Sequence, residues 1–295
     1  MTTEDSADIG VATDSLAEDG VRSVTVTGAG GVPLNVLDAG PEDAPAVILL
    51  HGFAQSARSW LHQLTAPRSI RVVAPDLRGH GHSGKPDSGY LDERVWADDV
   101  AAVIEELRLD RPVLGGWSYG GLVALDYVAV HGDSALSGLL TVDASLLAGV
   151  PGAERMFGPD FVALLPELVN DDGGSITIEA RRKLLEVSTE RPLADDTAGT
   201  LLDASLRTPP RVCAALLQRA LDRSAAAAGV TVPWLAVQGG RDRIVAPAAA
   251  EHIAAVQPAA QVRLWEGSGH SPFLEEPDRF NEQLIAFVTR STSRA

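Results

Sequence analysis

Three side chains of this chain are of the types that together turn a hydroxyl into a nucleophile. Ser118 stands in Gly116-Trp117-Ser118-Tyr119-Gly120, Asp242 in Gly239-Gly240-Arg241-Asp242-Arg243, and His270 in Gly267-Ser268-Gly269-His270-Ser271. A serine hydroxyl attacks poorly near neutral pH, so a base must take its proton during attack and return it to the leaving group. His270 is the candidate base, and Asp242 the carboxylate that would hold the imidazole tautomer and stabilise the imidazolium. Asp143, which closes an apolar run of its own, is the alternative acid. Such chemistry also needs two backbone N–H donors for the developing oxyanion, and these are assigned to Tyr119, after the serine, and Phe53, after His51-Gly52. The ring of Phe53 and the indole of Trp117 are expected to line the substrate pocket.

The elements around these residues would bring them to one edge of a sheet. Val113 and Leu114 lead into the serine pentapeptide, and a helix-compatible apolar segment follows from Leu122 to Val130: strand, tight turn, helix. Glycines flank the serine because side chains there would strike the neighbouring strand or helix. VRSVTVTG and VPLNVLDAG alternate in polarity around GAGG, as an antiparallel pair does. APAVILLHGF, IRVVAPD, LSGLLTVDA and TVPWLAVQGG are continuous apolar runs, as strands buried on both faces require. QVRLWEGSG adds an eighth strand. Helical spacing marks Leu91 to Leu107, Pro247 to Val256 and Asp278 to Thr289. From Ser145 to Gly229 the alternation stops, and helix-like segments cover 160–169, 176–187, 197–206 and 211–227. The expectation is an α/β, doubly wound, mostly parallel eight-stranded sheet. An acidic flexible tail would cover 1–20, the core 21–144 and 230–295, and a helical cap 145–229.

Composition removes several classes of function. There are 24 basic and 40 acidic residues, a net charge of −16, which disfavours nucleic-acid binding. One cysteine, Cys213, leaves no internal disulfide. No apolar run is long enough for a bilayer, and the first twenty residues lack the pattern of a signal peptide, so a cytoplasmic location with no membrane partner is expected. His80 and His82 have no cluster of further ligands, and no nucleotide-binding glycine motif occurs, so neither metal nor cofactor is expected. The run Arg181-Arg182-Lys183 reads as a solvated helix face.

HGFAQSARSW, PDLRGHGHSGKP, GWSYGG, GGRDRIV and GSGHSPFLEEP, in that order from His51 to Pro277, resemble the α/β-hydrolase superfamily. The likeness is to its cap-bearing branch: esterases, C–C hydrolases, non-haem perhydrolases, epoxide hydrolases and haloalkane dehalogenases. It implies that Ser118, Asp242 and His270 form a triad and that Ser145–Gly229 is a lid, although some relatives place the acid where Asp143 stands. Epoxide hydrolases and haloalkane dehalogenases use an aspartate nucleophile, so the serine disfavours both. The expected function is a serine hydrolase cleaving a small carboxylic ester, thioester or lactone through an acyl-enzyme. The alternatives are a perhydrolase or acyltransferase, a C–C hydrolase with the same triad, or a ligand receptor on this fold.

Overall fold

The computed structural model describes residues 20–66, 69–170 and 174–293; the acidic stretch 1–20, apart from Gly20, lies outside them. Ten strands occur among the described residues: β1 (Val21–Thr27), β2 (Pro33–Ala39), β3 (Ala46–Leu50), β4 (Arg71–Pro75), β5 (Val113–Trp117), β6 (Gly138–Val142), β7 (Leu147–Ala148), β8 (Leu221–Asp222), β9 (Trp234–Gly239) and β10 (Gln261–Trp265). Eight of them form one sheet in the order β1-β2-β4-β3-β5-β6-β9-β10. The alternating segments make the antiparallel hairpin β1–β2, in register from Val21↔Ala39 to Thr27↔Pro33, and β2 joins β4 antiparallel. Every pairing from β4 to β10 is parallel.

The continuous runs became strands that are buried at every position from β3 to β6. Their side chains point alternately to two faces, and the core divides accordingly. Ile48, Leu50 and Leu114 join one cluster with Trp96 and Leu125, while Val47, Leu49 and Val113 join another with Trp60 and Phe280. The helices are α1 (Leu61–Leu64), α2 (Glu93–Glu106), α3 (Tyr119–His131), α4 (Pro159–Leu168), α5 (Ser175–Val187), α6 (Asp195–Leu206), α7 (Pro210–Leu217), α8 (Ser224–Ala228), α9 (Ala248–Val256), α10 (Pro272–Glu275) and α11 (Pro277–Thr292). No helix among the described residues is long and apolar enough to cross a membrane.

Two expectations need correction. The segment 211–227 is not one helix: α7 ends at Leu217 and the chain runs extended through β8, which pairs antiparallel with β7. An Ala/Leu-rich stretch gives up helical bonds there because Leu147–Ala148 offers a tertiary partner, and local propensity is the weaker influence. Arg181 is not on a solvated face. It is only 1% exposed, donates from Nη2 to Cys213 Sγ at 2.8 Å, and stands 5.8 Å from the Phe53 ring centroid.

Candidate active site

The turn after β5 forces Ser118 into φ 53°, ψ −117°, a region that costs a non-glycine residue roughly 1–3 kcal/mol. The surroundings hold it there: its N–H donates to the Val142 carbonyl at 2.9 Å, and its own carbonyl accepts from Gly121 at 2.9 Å. The glycine requirement is steric. A Cβ at Gly116 would run into the backbone of Gly120, and one at Gly120 into the carbonyl oxygens of Leu50 and His51. Helix α3 starts at Tyr119, so the Tyr119 amide is among the first N–H groups of a helix, which lack acceptors within it.

The loop after β3 is set by His51. Its Nε2 accepts from the Leu77 N–H at 2.9 Å, so Nδ1 carries the hydrogen and donates to the Gly52 carbonyl at 2.8 Å. Burial lowers its pKa to about 4, keeping it neutral at physiological pH. Phe53 follows, and among the described residues its N–H meets no protein acceptor. His80 packs edge-on to His51 with ring centroids 5.0 Å apart, and burial lowers its pKa to about 3. His82, by contrast, is exposed. The His-x-His pair therefore faces two different environments and does not converge on one point.

Asp242 and His270 meet across the ends of β9 and β10. His270 Nδ1 lies 2.7 Å from Asp242 Oδ2, and Asp242 Oδ1 accepts from the N–H groups of Ile244 at 2.7 Å and Val245 at 2.9 Å. Both side chains are buried. Asp143 makes no hydrogen bond to His270. Its Oδ1 accepts from Gly239 N–H at 2.6 Å and from Gln238 Nε2 at 3.0 Å, and burial together with the neighbouring Asp242 raises its pKa well above the usual carboxylate range. Asp143, Asp242 and His270 offer potential ligand atoms within 4.8 Å of one another. Hydrogen bonds already engage His270 Nδ1, both oxygens of Asp242 and Asp143 Oδ1, leaving Asp143 Oδ2 and His270 Nε2 without a partner among the described residues. That donor set describes a hydrogen-bonded network better than a metal centre.

Ser118 and His270 line the same cavity, of about 370 Å³. The Ser118 hydroxyl has no hydrogen-bond partner among the described residues and faces this cavity. Phe53, Trp117 and Tyr119 also border the cavity, together with Phe157, Phe161 and Leu165 of the segment between β6 and β9. Its polar walls are few and include Gln55, Ser145, Ser188 and Arg219.

Residues 47–283 match a family model described as the alpha/beta hydrolase family. The chain belongs to the alpha/beta hydrolase family. This α/β hydrolase is similar to the esterase RhEst1 from Rhodococcus sp. ECU1013, with 34% identity and a TM-score of 0.84 over 91% of this chain and 98% of that one. It is 28% identical to the AB hydrolase superfamily protein YisY of Bacillus subtilis over 245 residues, 82% of this chain and 90% of the relative. It is also 28% identical to a pimeloyl-[acyl-carrier protein] methyl ester esterase of Vibrio cholerae over 249 residues, 83% of this chain and 94% of that protein. These relatives are named esterases and hydrolases, and this α/β hydrolase is an enzyme of the carboxylic ester hydrolase-like kind.

The structure of this α/β hydrolase also brings forward residues that the sequence reading passed over. Arg219, on the cavity wall, donates to the Tyr119 hydroxyl at 3.0 Å and to Asp126 at 2.7 Å. Arg223 donates to the same carboxylate at 2.8 Å and pairs with Glu93. Asp126 is wholly buried in α3. A lone acid inside the apolar stretch 122–130 was the available signal, since a buried carboxylate needs a cation to meet it. Gln238 gave no such signal. It bridges Asp143 and Asp242 only because β9 carries it between them.

Proposed function

We propose that this α/β hydrolase is a serine esterase acting on small, neutral carboxylic esters, with thioesters and lactones as chemical relatives. The observation that carries the reading is the 2.7 Å bond from Asp242 to His270 beside a serine held at the elbow on the wall of the same cavity. In this reading Ser118 attacks the carbonyl while His270 takes its proton, and the oxyanion rests on the amides of Phe53 and Tyr119. His270 then protonates the leaving alcohol. Water deprotonated by His270 releases the acid from the acyl-enzyme. The segment 145–229 acts as the cap, supplying Phe157, Phe161 and Leu165 to the acyl pocket. Substrate neutrality follows from the walls. Among the described residues that line the cavity, Arg219 is the one Arg or Lys and is already committed to Asp126 and Tyr119. Glu154 adds an acid, so a substrate carboxylate would meet no free cation there.

A panel of p-nitrophenyl esters of increasing acyl length, with lactones and thioesters beside it, tests the reading. Repeated turnover on short neutral acyl groups is expected, with a sharp fall for acyl chains ending in a carboxylate. A single slow turnover followed by retained ligand would instead make the protein a receptor. Loss of turnover without loss of fluorophosphonate labelling in Ser118→Ala would remove Ser118 as the nucleophile.

A further inference from the structure

Behind the imidazole lie two buried carboxyl groups where one would serve. Asp143 is fully buried at the end of β6, and its Oδ2 is met by no donor. No Lys or Arg forms an ion pair with it among the described residues. Its charged neighbours are Asp242 and, further out, Glu275, both acidic; the imidazole of His270 completes the surroundings. An ionised Asp143 would thus be a buried anion with no Lys or Arg opposite it and a second anion beside it, an arrangement that drives one member of such a pair to keep its proton. Asp242 is the member built to accept, with two backbone N–H groups on Oδ1 and His270 Nδ1 on Oδ2. Asp143 Oδ1 is likewise an acceptor, from Gly239 N–H and Gln238. Only Asp143 Oδ2 is left for a hydrogen, and placing one there turns an orphaned acceptor into a donor on a carboxyl group that has an oxygen within 4.8 Å of one of Asp242.

We propose that Asp143 is a neutral carboxylic acid whose Oδ2–H donates to the Asp242 carboxylate, making it a positioning residue for the Asp242–His270 pair. The inference rests on the triad reading above. The two carboxyl groups then carry one negative charge between them, and the imidazole faces one anion. Gln238 spans both groups from Nε2 and fixes their separation. The proton stays on Asp143 through the cycle, while the proton taken from Ser118 travels on His270 alone.

The test is the pH profile of kcat/KM on a short p-nitrophenyl ester. Asp143→Asn replaces a neutral donor by another neutral donor, so kcat is expected to stay within about threefold of wild type and the acid limb to stay in place. Asp143→Ala leaves Asp242 unsupported, and kcat is expected to fall about tenfold or more with KM unchanged. If Asp143 were ionised, removing an anion within 4.8 Å of the imidazole would move the acid limb of Asp143→Asn down by about two pH units, which overturns the proposal. A fall in kcat of roughly ten-thousandfold in Asp143→Asn would make Asp143 the acid partner itself, and overturns it equally. Infrared spectroscopy needs no turnover, and its decisive outcome is read on the wild-type protein. A protonated-carboxyl band persisting at pH 7, and lost in Asp143→Asn, is expected; no such band in wild type ends the proposal. An enzyme with the band but without ester turnover would sink the esterase reading and leave this one standing.

Discussion

The indole N–H of Trp117 donates to the main-chain carbonyl of His270 at 2.7 Å. Trp117 immediately precedes the elbow serine, so this bond links two positions 153 residues apart and sets the distance between β5 and the histidine loop. The indole also stands edge-on to Phe273 of α10 at 5.1 Å. Trp117 was expected to line the substrate pocket. It does border the cavity, but it is tied to the loop as well.

Replacing Trp117 by Phe keeps an aromatic ring and removes the N–H. The buried carbonyl is left without its donor, a loss of about 1–3 kcal/mol in stability by denaturant unfolding. The histidine loop loses its anchor, so kcat is expected to fall several-fold on an ester whose KM changes little. An unchanged kcat with a raised KM would leave Trp117 as pocket wall alone.

Asp242→Asn tests the carboxylate assigned to the imidazole. The bonds from Ile244 and Val245 to Oδ1 survive the change, so the fold should hold, with a melting temperature within a few degrees of wild type. The histidine tautomer is no longer fixed, and kcat should fall by roughly ten-thousandfold. A loss under tenfold would show that another group orients His270.

Two neutral histidines predict a pH dependence of stability. Burial lowers His51 to about 4 and His80 to about 3, from 6.5 when unfolded. Their contribution is fully present above pH 6.5 and is lost as pH falls toward those values, because the unfolded chain takes up protons the folded one refuses. Each histidine adds a slope of up to about 1.4 kcal/mol per pH unit in that window. Asp99, Asp126 and Asp143, whose pKa values are raised mainly by burial, act in the opposite direction on the same side. A difference measurement isolates one group. His80→Asn keeps a donor toward the Arg78 carbonyl, which His80 Nδ1 reaches at 2.9 Å, and should flatten the slope between pH 6 and 4 by about one proton. Parallel stability curves for variant and wild type would show that His80 is not held neutral.

The buried ion cluster under the Tyr119 ring carries the fourth prediction. Asp126 accepts from both Arg219 and Arg223, and Asp126→Ala removes the one buried carboxylate they share, leaving Arg219 without an acid and Arg223 with Glu93 alone. A loss of about 3–5 kcal/mol is expected in chemical denaturation, with Tyr119→Phe far milder because it removes only a neutral hydroxyl. Similar costs for the two variants would mean that the cations find other partners.

Much of the architecture was legible because strands buried on both faces must be apolar throughout, and this chain writes those runs one after another. β3, β5, β6 and β9 could be read from composition alone, and so could the glycine-flanked turn after β5, where only absent side chains allow the backbone to close. Ser118 and Asp242 were legible as candidates because each follows such a run, whereas His270 follows β10, whose residues are mostly exposed, and stood out by the glycines around it. Tertiary structure decided what local pattern does not encode. It paired Asp242 rather than Asp143 with the imidazole, since both acids follow apolar strands and only the relative height of β6 and β9 separates them. It also buried Arg181, broke the helix after Leu217 and joined Arg219 to Asp126, because a side chain's surroundings depend on neighbours distant in sequence, and a string of residues carries no distances between them.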